Sequence, residues 1–145
     1  MGTGGEGLRV LFEAIDGGVR RAEAAGVARE WTSRLQGAVT AVGEVTRALG
    51  AVAAGGDTEA MLRHSTDYLE MLSVVVVGWQ WLVMAAAAKE GLARPEVSAP
   101  DAAFYQGELA AAQYWVATEL PRVGVLAALC RGNDDSYARA QPDWF

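Results

Sequence analysis

His64, Ser65 and Asp67 place the residue types of a nucleophilic triad within four positions of one another. A triad requires the imidazole to reach the serine hydroxyl, and adjacent positions on a helix point in different directions, so the group reads as a surface or capping feature. Glu70, Glu108 and Glu119 lie on or beside apolar faces, where burial raises a carboxyl pKa toward proton abstraction. No second polar group converges on any of them in the pattern, and solvated positions at the edge of an apolar stripe are the simpler reading. Gly2, Gly4 and Gly7 match G-x-G-x-x-G, the spacing that lets a backbone approach a pyrophosphate. That loop works between a strand and a helix, and no strand pattern precedes it, so a flexible linker is expected instead.

Metal chemistry has as little to draw on. A di-iron bundle needs Glu-x-x-His on two helices, whereas His64 is the sole histidine and Met61 stands three residues before it. One His and one Cys also leave too few ligands for zinc. Cys130 ends the apolar run from Val123, has no second cysteine to pair with, and is expected to be a buried small hydrophobe. An unpaired thiol suits a reducing cytoplasm, and no secretory signal opens the chain. No catalytic, cofactor-binding or metal-binding residue is therefore expected here.

The elements that would position any site are helical. Half of the 145 residues are apolar, enough for a single domain with its own core. The net charge of −6 comes from acids and arginines interleaved at helical spacing rather than from a basic stripe, which excludes nucleic acid as a partner. Met1 to Gly7 reads as a linker. Leu8, Leu11, Phe12, Ile15, Val19 and Ala22 then form the face of a first helix, and Trp31, Leu35, Ala38, Val42, Val45, Leu49 and Val52 that of a second, over about 27–53. Gly55 and Gly56 end it. Asp57 is the N-cap of a third helix expected to reach Gly91, with Met61, Leu62, Ser65, Tyr68, Leu69 and Leu72 facing inward. Ser98 and Asp101 have capping-box spacing for a fourth, whose stripe is Tyr105, Leu109, Ala112, Val116, Leu120, Val123, Leu126 and Cys130, with a bend at Pro121. Residues 132–145 are expected to be irregular. Four helices with short connections predict an all-α, up-and-down four-helix bundle.

From Met71 to Ala88 the third helix carries no charge on any face. This length approaches a membrane span. Ser73, Gly78 and Gln80 in its middle, the central placing of Trp79 and Trp81, and its continuity with an amphipathic half argue instead for a helix enclosed on more than one side. Val75, Val77, Trp79, Trp81 and Met84 cannot all face one interior, so an apolar patch covered by a dimer or inter-domain contact is expected.

The third helix reads Asp67-Tyr68-Leu69-Glu70-Met71-Leu72, Val77-Gly78-Trp79-Gln80-Trp81 and Met84-Ala85-Ala86-Ala87-Ala88; the fourth reads Ala103-Phe104-Tyr105, Glu108 to Trp115 and Leu120-Pro121. This pairing resembles the acetyl-CoA dehydrogenase-like C-terminal domain of the large acyl-CoA dehydrogenases, over Leu8 to about Arg131. Glu108, Ala111 and Gln113 stand where a lysine, a threonine and an arginine are common in that pattern. The resemblance implies a non-catalytic accessory or oligomerisation domain of a fatty acyl-CoA-oxidising flavoenzyme. FAD and the catalytic glutamate would belong to upstream domains, and flavin-binding domains or subunits and further copies of the chain are the implied partners. Packing and interface are then expected to fall to Leu72, Val76, Trp79, Trp81, Val83 and Met84 of the third helix and Tyr105, Ala112 and Trp115 of the fourth. The alternative is a free-standing bundle that holds an acyl or other apolar ligand between these helices, lined by Trp79 and Trp115.

Overall fold

The computed structural model describes residues 3–145, among which no strand occurs. The helices are α1 (Thr3–Ala24), α2 (Arg29–Ala54), α3 (Thr58–Leu62), α4 (Ser65–Leu92), α5 (Ala99–Thr118), α6 (Arg122–Gly132) and the single turn α7 (Ser136–Arg139), followed by a 3-10 turn at Pro142–Trp144. Taken as rods, α1, α2, α3 with α4, and α5 with α6 form the four-helix bundle. Its core is contiguous, with Ile15, Val19, Leu35, Val42, Val45, Met71, Val75, Leu82, Ala112, Val116, Val123 and Cys130 all buried.

Four local features depart from the sequence expectation. Helix α1 begins at Thr3, so Thr3 to Gly7 continue the helix instead of forming a linker. Arg9 pairs with both Glu6 and Glu13, three and four residues away, and Glu6 lies in the first turn where the helix dipole favours an acid. Met1 and Gly2, and with them the first glycine of the G-x-G-x-x-G spacing, lie outside the described residues.

The third helix is broken at Arg63 and His64 into α3 and α4. Asp57 caps α3 as expected, accepting from the Ala60 amide at 2.8 Å. His64, however, has the non-helical angles φ −110° and ψ 34°, and the break resets the phase of the stripe. Leu62 and Leu69, expected to face inward, are consequently exposed, while Met71, Val74 and Val75 enter the core. Pro121 produces a break rather than a bend. Helix α5 stops at Thr118, and in the first turn of α6 the amides of Val123 and Gly124 bond three residues back, to Leu120 and Pro121. The tail also holds α7 and the 3-10 turn where irregular chain was expected.

Helix α4 is the hub, packing against α1, α2, α5 and α6. Three of its approaches use a glycine as a socket for an aromatic ring. A Cβ on Gly18 of α1 would stand 2.5 Å from the Trp79 indole Nε1, and one on Gly91 would stand 2.5 Å from the ring of Tyr105. At Gly78 it would meet Trp115 at 3.1 Å and Leu120 at 3.2 Å. The absent side chains let α1 and α5 lie close to α4, and the rings fill the space. Gly17, next to Gly18, meets nothing within 4 Å.

These neighbours yield opposite expectations from one chemical change. Gly17→Ala should raise stability by about 0.5–1 kcal/mol through helix propensity. Gly18→Ala and Gly91→Ala should each lower it by about 1–3 kcal/mol through overpacking. Urea denaturation followed by circular dichroism measures all three, and equal effects at Gly17 and Gly18 would contradict the socket description.

Candidate functional site

The nine residues expected to carry packing and interface divide into two groups. Ala112 is buried, Tyr105 sits against Gly91, Trp115 against Gly78, and Trp79 and Val83 against Gly18, so these serve contacts within the bundle. Leu72, Val76 and Trp81 are half-buried, and Met84 is 38 % exposed. Val77, in the same uncharged stretch, is 42 % exposed.

The surface that results is broader than the nine positions. Along α4 the exposed Leu69, Ser73, Val77, Gln80, Met84 and Ala87 recur at three- and four-residue steps, without a charge. Along α5, Phe104, Gly107, Ala111 and Tyr114 are exposed at the same kind of spacing, with Phe104 at 62 % and Tyr114 at 70 %. Sequence reasoning placed no outward role on Phe104 or Tyr114. The signal was present: between Asp101 and Glu119 the only charge is Glu108, and a helix uncharged nearly all round has no water-facing side of the usual kind.

Charged groups frame this face. Arg21 of α1 holds Glu90 of α4 in a two-pronged pair at 2.7 and 2.9 Å. That hydrogen bond lowers the Glu90 carboxyl pKa and raises that of the guanidinium. Arg122 of α6 pairs with Glu70 of α4 and, at 3.2 Å, with Glu119 at the end of α5. Two of the three glutamates weighed as proton acceptors are thus partly exposed ion-pair members, while Glu108 is half-buried on α5. Arg131 joins α6 to Glu44 of α2 at 3.3 Å. Exposed pairs of this kind contribute little stability each.

The His64 group is a junction of secondary structures. His64 Nδ1 is 2.9 Å from the Asp67 carboxylate, and Nε2 is 3.2 Å from the backbone carbonyl of Asp134, beyond α6. His64 occupies the N-cap position of α4, yet its side chain makes no capping bond. Nearby, Arg63 donates to the Asn133 carbonyl at 3.2 Å, and the Cys130 thiol lies 3.9 Å from the His64 carbonyl oxygen. Burial, followed by the Asp67 charge, pushes the thiol pKa up.

Two apolar depressions lie away from Trp79 and Trp115. One of about 360 Å³ runs between α2 and the α5–α6 break, along Ala38, Ala41, Val116 and Leu120. Another of about 290 Å³ lies between α2 and the α3–α4 corner, along Leu49, Met61, Leu62 and Tyr68. At its floor Thr46 donates to the Val42 carbonyl at 2.7 Å and lies 2.8 Å from the Tyr68 hydroxyl, so neither hydroxyl is left unpaired. Trp79 and Trp115 line neither depression and are engaged at separate glycine sockets.

An apolar hub helix wrapped by its neighbours, with Glu108 as the one charge among the α5 residues of the exposed face and the ion pairs at its margins, defines a helical bundle module. The chain belongs to the acetyl-CoA dehydrogenase C-terminal like family, whose model matches residues 11–141, from within α1 to the start of the 3-10 turn. The match therefore extends past Arg131 into the tail. No curated protein matches the chain.

The placing of Cys130 makes its thiol a reporter of the junction. In the native state Ellman's reagent at pH 8 should label it slowly, because the thiol is buried and its thiolate disfavoured. Labelling should accelerate across the urea transition seen by circular dichroism, whereas fast labelling before that transition would contradict the burial.

Proposed function

We propose that this chain is the accessory domain of an acyl-CoA dehydrogenase-like flavoenzyme of fatty acyl-CoA oxidation, and that its work is to hold the assembly together. FAD and the acyl-CoA chemistry belong, in this reading, to a separate flavin-binding domain or subunit. The uncharged face of α4 and α5 docks on that body and on further copies of the chain, giving a homo-oligomeric enzyme. The family match over residues 11–141 carries the proposal. Exposed Val77, Met84, Phe104 and Tyr114 support the docking face, since a run of uncharged surface on two adjacent helices favours a protein contact over water.

Helix α4 is long and apolar enough to cross a membrane. We read it as a core helix, because four other helices pack on it and its apolar window is already 44 % buried in the bundle. A cytoplasmic location is supported by the unpaired, buried Cys130, which suits a reducing compartment.

Sedimentation velocity at micromolar concentration tests the docking face. The wild-type chain should associate, and Val77→Glu combined with Tyr114→Glu should give monomers. Because both positions are exposed, the double variant should keep its unfolding free energy within about 1 kcal/mol of wild type. A wild-type monomer that binds neither a hydrophobic dye nor the flavin-binding body would overturn the reading. Mixed with FAD and acyl-CoA thioesters, the chain should form no yellow complex and reduce no electron-acceptor dye; retained flavin would place the cofactor on this domain instead.

A further inference from the structure

The junction at His64 has a property that neither packing nor the accessory role requires. Both ring nitrogens face acceptors: the Asp67 carboxylate at Nδ1 and the Asp134 carbonyl at Nε2. A neutral imidazole carries one N–H and can donate to only one of them, whereas the imidazolium donates to both. Asp67 belongs to the first turn of α4, while Asp134 belongs to the connection between α6 and α7, so the ring bridges elements 70 residues apart.

We propose that His64 is a proton-operated latch, which in its imidazolium form ties the α3–α4 corner to the start of the C-terminal segment and on deprotonation releases that segment. The neutral ring keeps its hydrogen on Nδ1, toward the carboxylate, because that acceptor is charged. The Nε2 lone pair then opposes the Asp134 carbonyl oxygen, and attraction becomes repulsion. The segment it holds is poorly anchored otherwise. Beyond Asn133, which takes the left-handed conformation at φ 46°, none of residues 134–145 is buried, and Tyr137, Trp144 and Phe145 are 94 %, 65 % and 100 % exposed. Those aromatic side chains follow whatever the latch does.

The charges around the ring favour the closed form. Asp67 of α4, and the Asp134 carboxylate of the α6–α7 connection, act to keep the imidazolium, while neighbouring Arg63 opposes it. The Cys130 thiol of α6 also lies at this corner. The hydrogen bond to Asp67 is the largest influence and raises the imidazole pKa, offset in part by burial and helped by the Asp134 carbonyl. A pKa raised on folding gives stability that is complete below the unfolded value of about 6.5 and is lost as pH rises through the higher native value. The latch is therefore closed below the unfolded value and opens as pH rises through the higher native value.

NMR on the full chain tests this without any substitution. The His64 ring signals should titrate with a midpoint above that of a free histidine. Hydrogen exchange at the Ser136 and Arg139 amides, which donate to Asp134 Oδ1 and to the Asp135 carbonyl, should show a step at the same midpoint, after correction for intrinsic exchange. Protection should fall by about tenfold for each pH unit separating the native and unfolded midpoints. Asp67→Asn should lower both midpoints together, and core amides of α4 such as Leu82 should show no step in either protein. A ring that titrates at the ordinary value, or tail amides that follow intrinsic exchange alone, would overturn the latch.

Discussion

One constraint organises the molecule: α4 is too apolar to offer a water-facing side of normal composition, so other helices must approach it closely from several directions. Close approach is limited by the Cβ atoms of the facing helices. Glycine at positions 18, 78 and 91 removes that limit at three points, and Trp79, Trp115 and Tyr105 occupy the freed volume. Each ring is then fixed by the opposing backbone, which orients α1 and α5 against the hub. Burying Met71, Val75 and Leu82 supplies the driving force, since a fully buried side chain of this kind contributes about 1.5–3 kcal/mol.

Coverage is nevertheless incomplete. A bundle of this size encloses α4 on three sides and leaves a strip open, and α5, itself nearly uncharged, is covered on one side only. The side chains left on that strip are uncharged and largely apolar, while the arginines and acids collect where helices meet at the edge. Arg21 with Glu90 closes one margin and Arg122 with Glu70 and Glu119 another. This division of charged and apolar surface is what the chain presents within the acetyl-CoA dehydrogenase C-terminal like family.

Several polar side chains serve the joints between helices. Thr32 is fully buried, and its hydroxyl lies 3.0 Å from the Arg29 carbonyl and 3.2 Å from Glu23, at the α1–α2 corner. Ser98 accepts from the Asp101 amide at 3.1 Å and starts α5. Arg63 and His64 reach across to Asn133 and Asp134, where the α6 terminus would otherwise present unpaired carbonyls. These contacts sit at helix ends, where the backbone itself lacks hydrogen-bond partners.

The sequence by itself determined the all-helical class, the stripes of α1, α2 and the α5–α6 rod, the cap at Asp57 and the surplus of apolar surface on α4, because these follow from periodicity and from local backbone chemistry. The residues of the family resemblance were likewise legible, since the glycine, tryptophan and proline positions are distinctive. Only the tertiary structure decided where the stripes break. Leu62 and Leu69 continue the helical spacing perfectly well, and their exposure follows from Arg63 and His64 being drawn toward the α6 terminus, a contact between residues 70 positions apart. It also decided which aromatic residues face inward: Trp79 and Trp115 fill sockets whose glycines lie on other helices or other turns, while Phe104 and Tyr114, equally apolar in sequence, find no opposing backbone. Periodicity fixes which residues share a face of a helix. Which face is covered depends on where the other helices lie, and that is a property of the packed bundle alone.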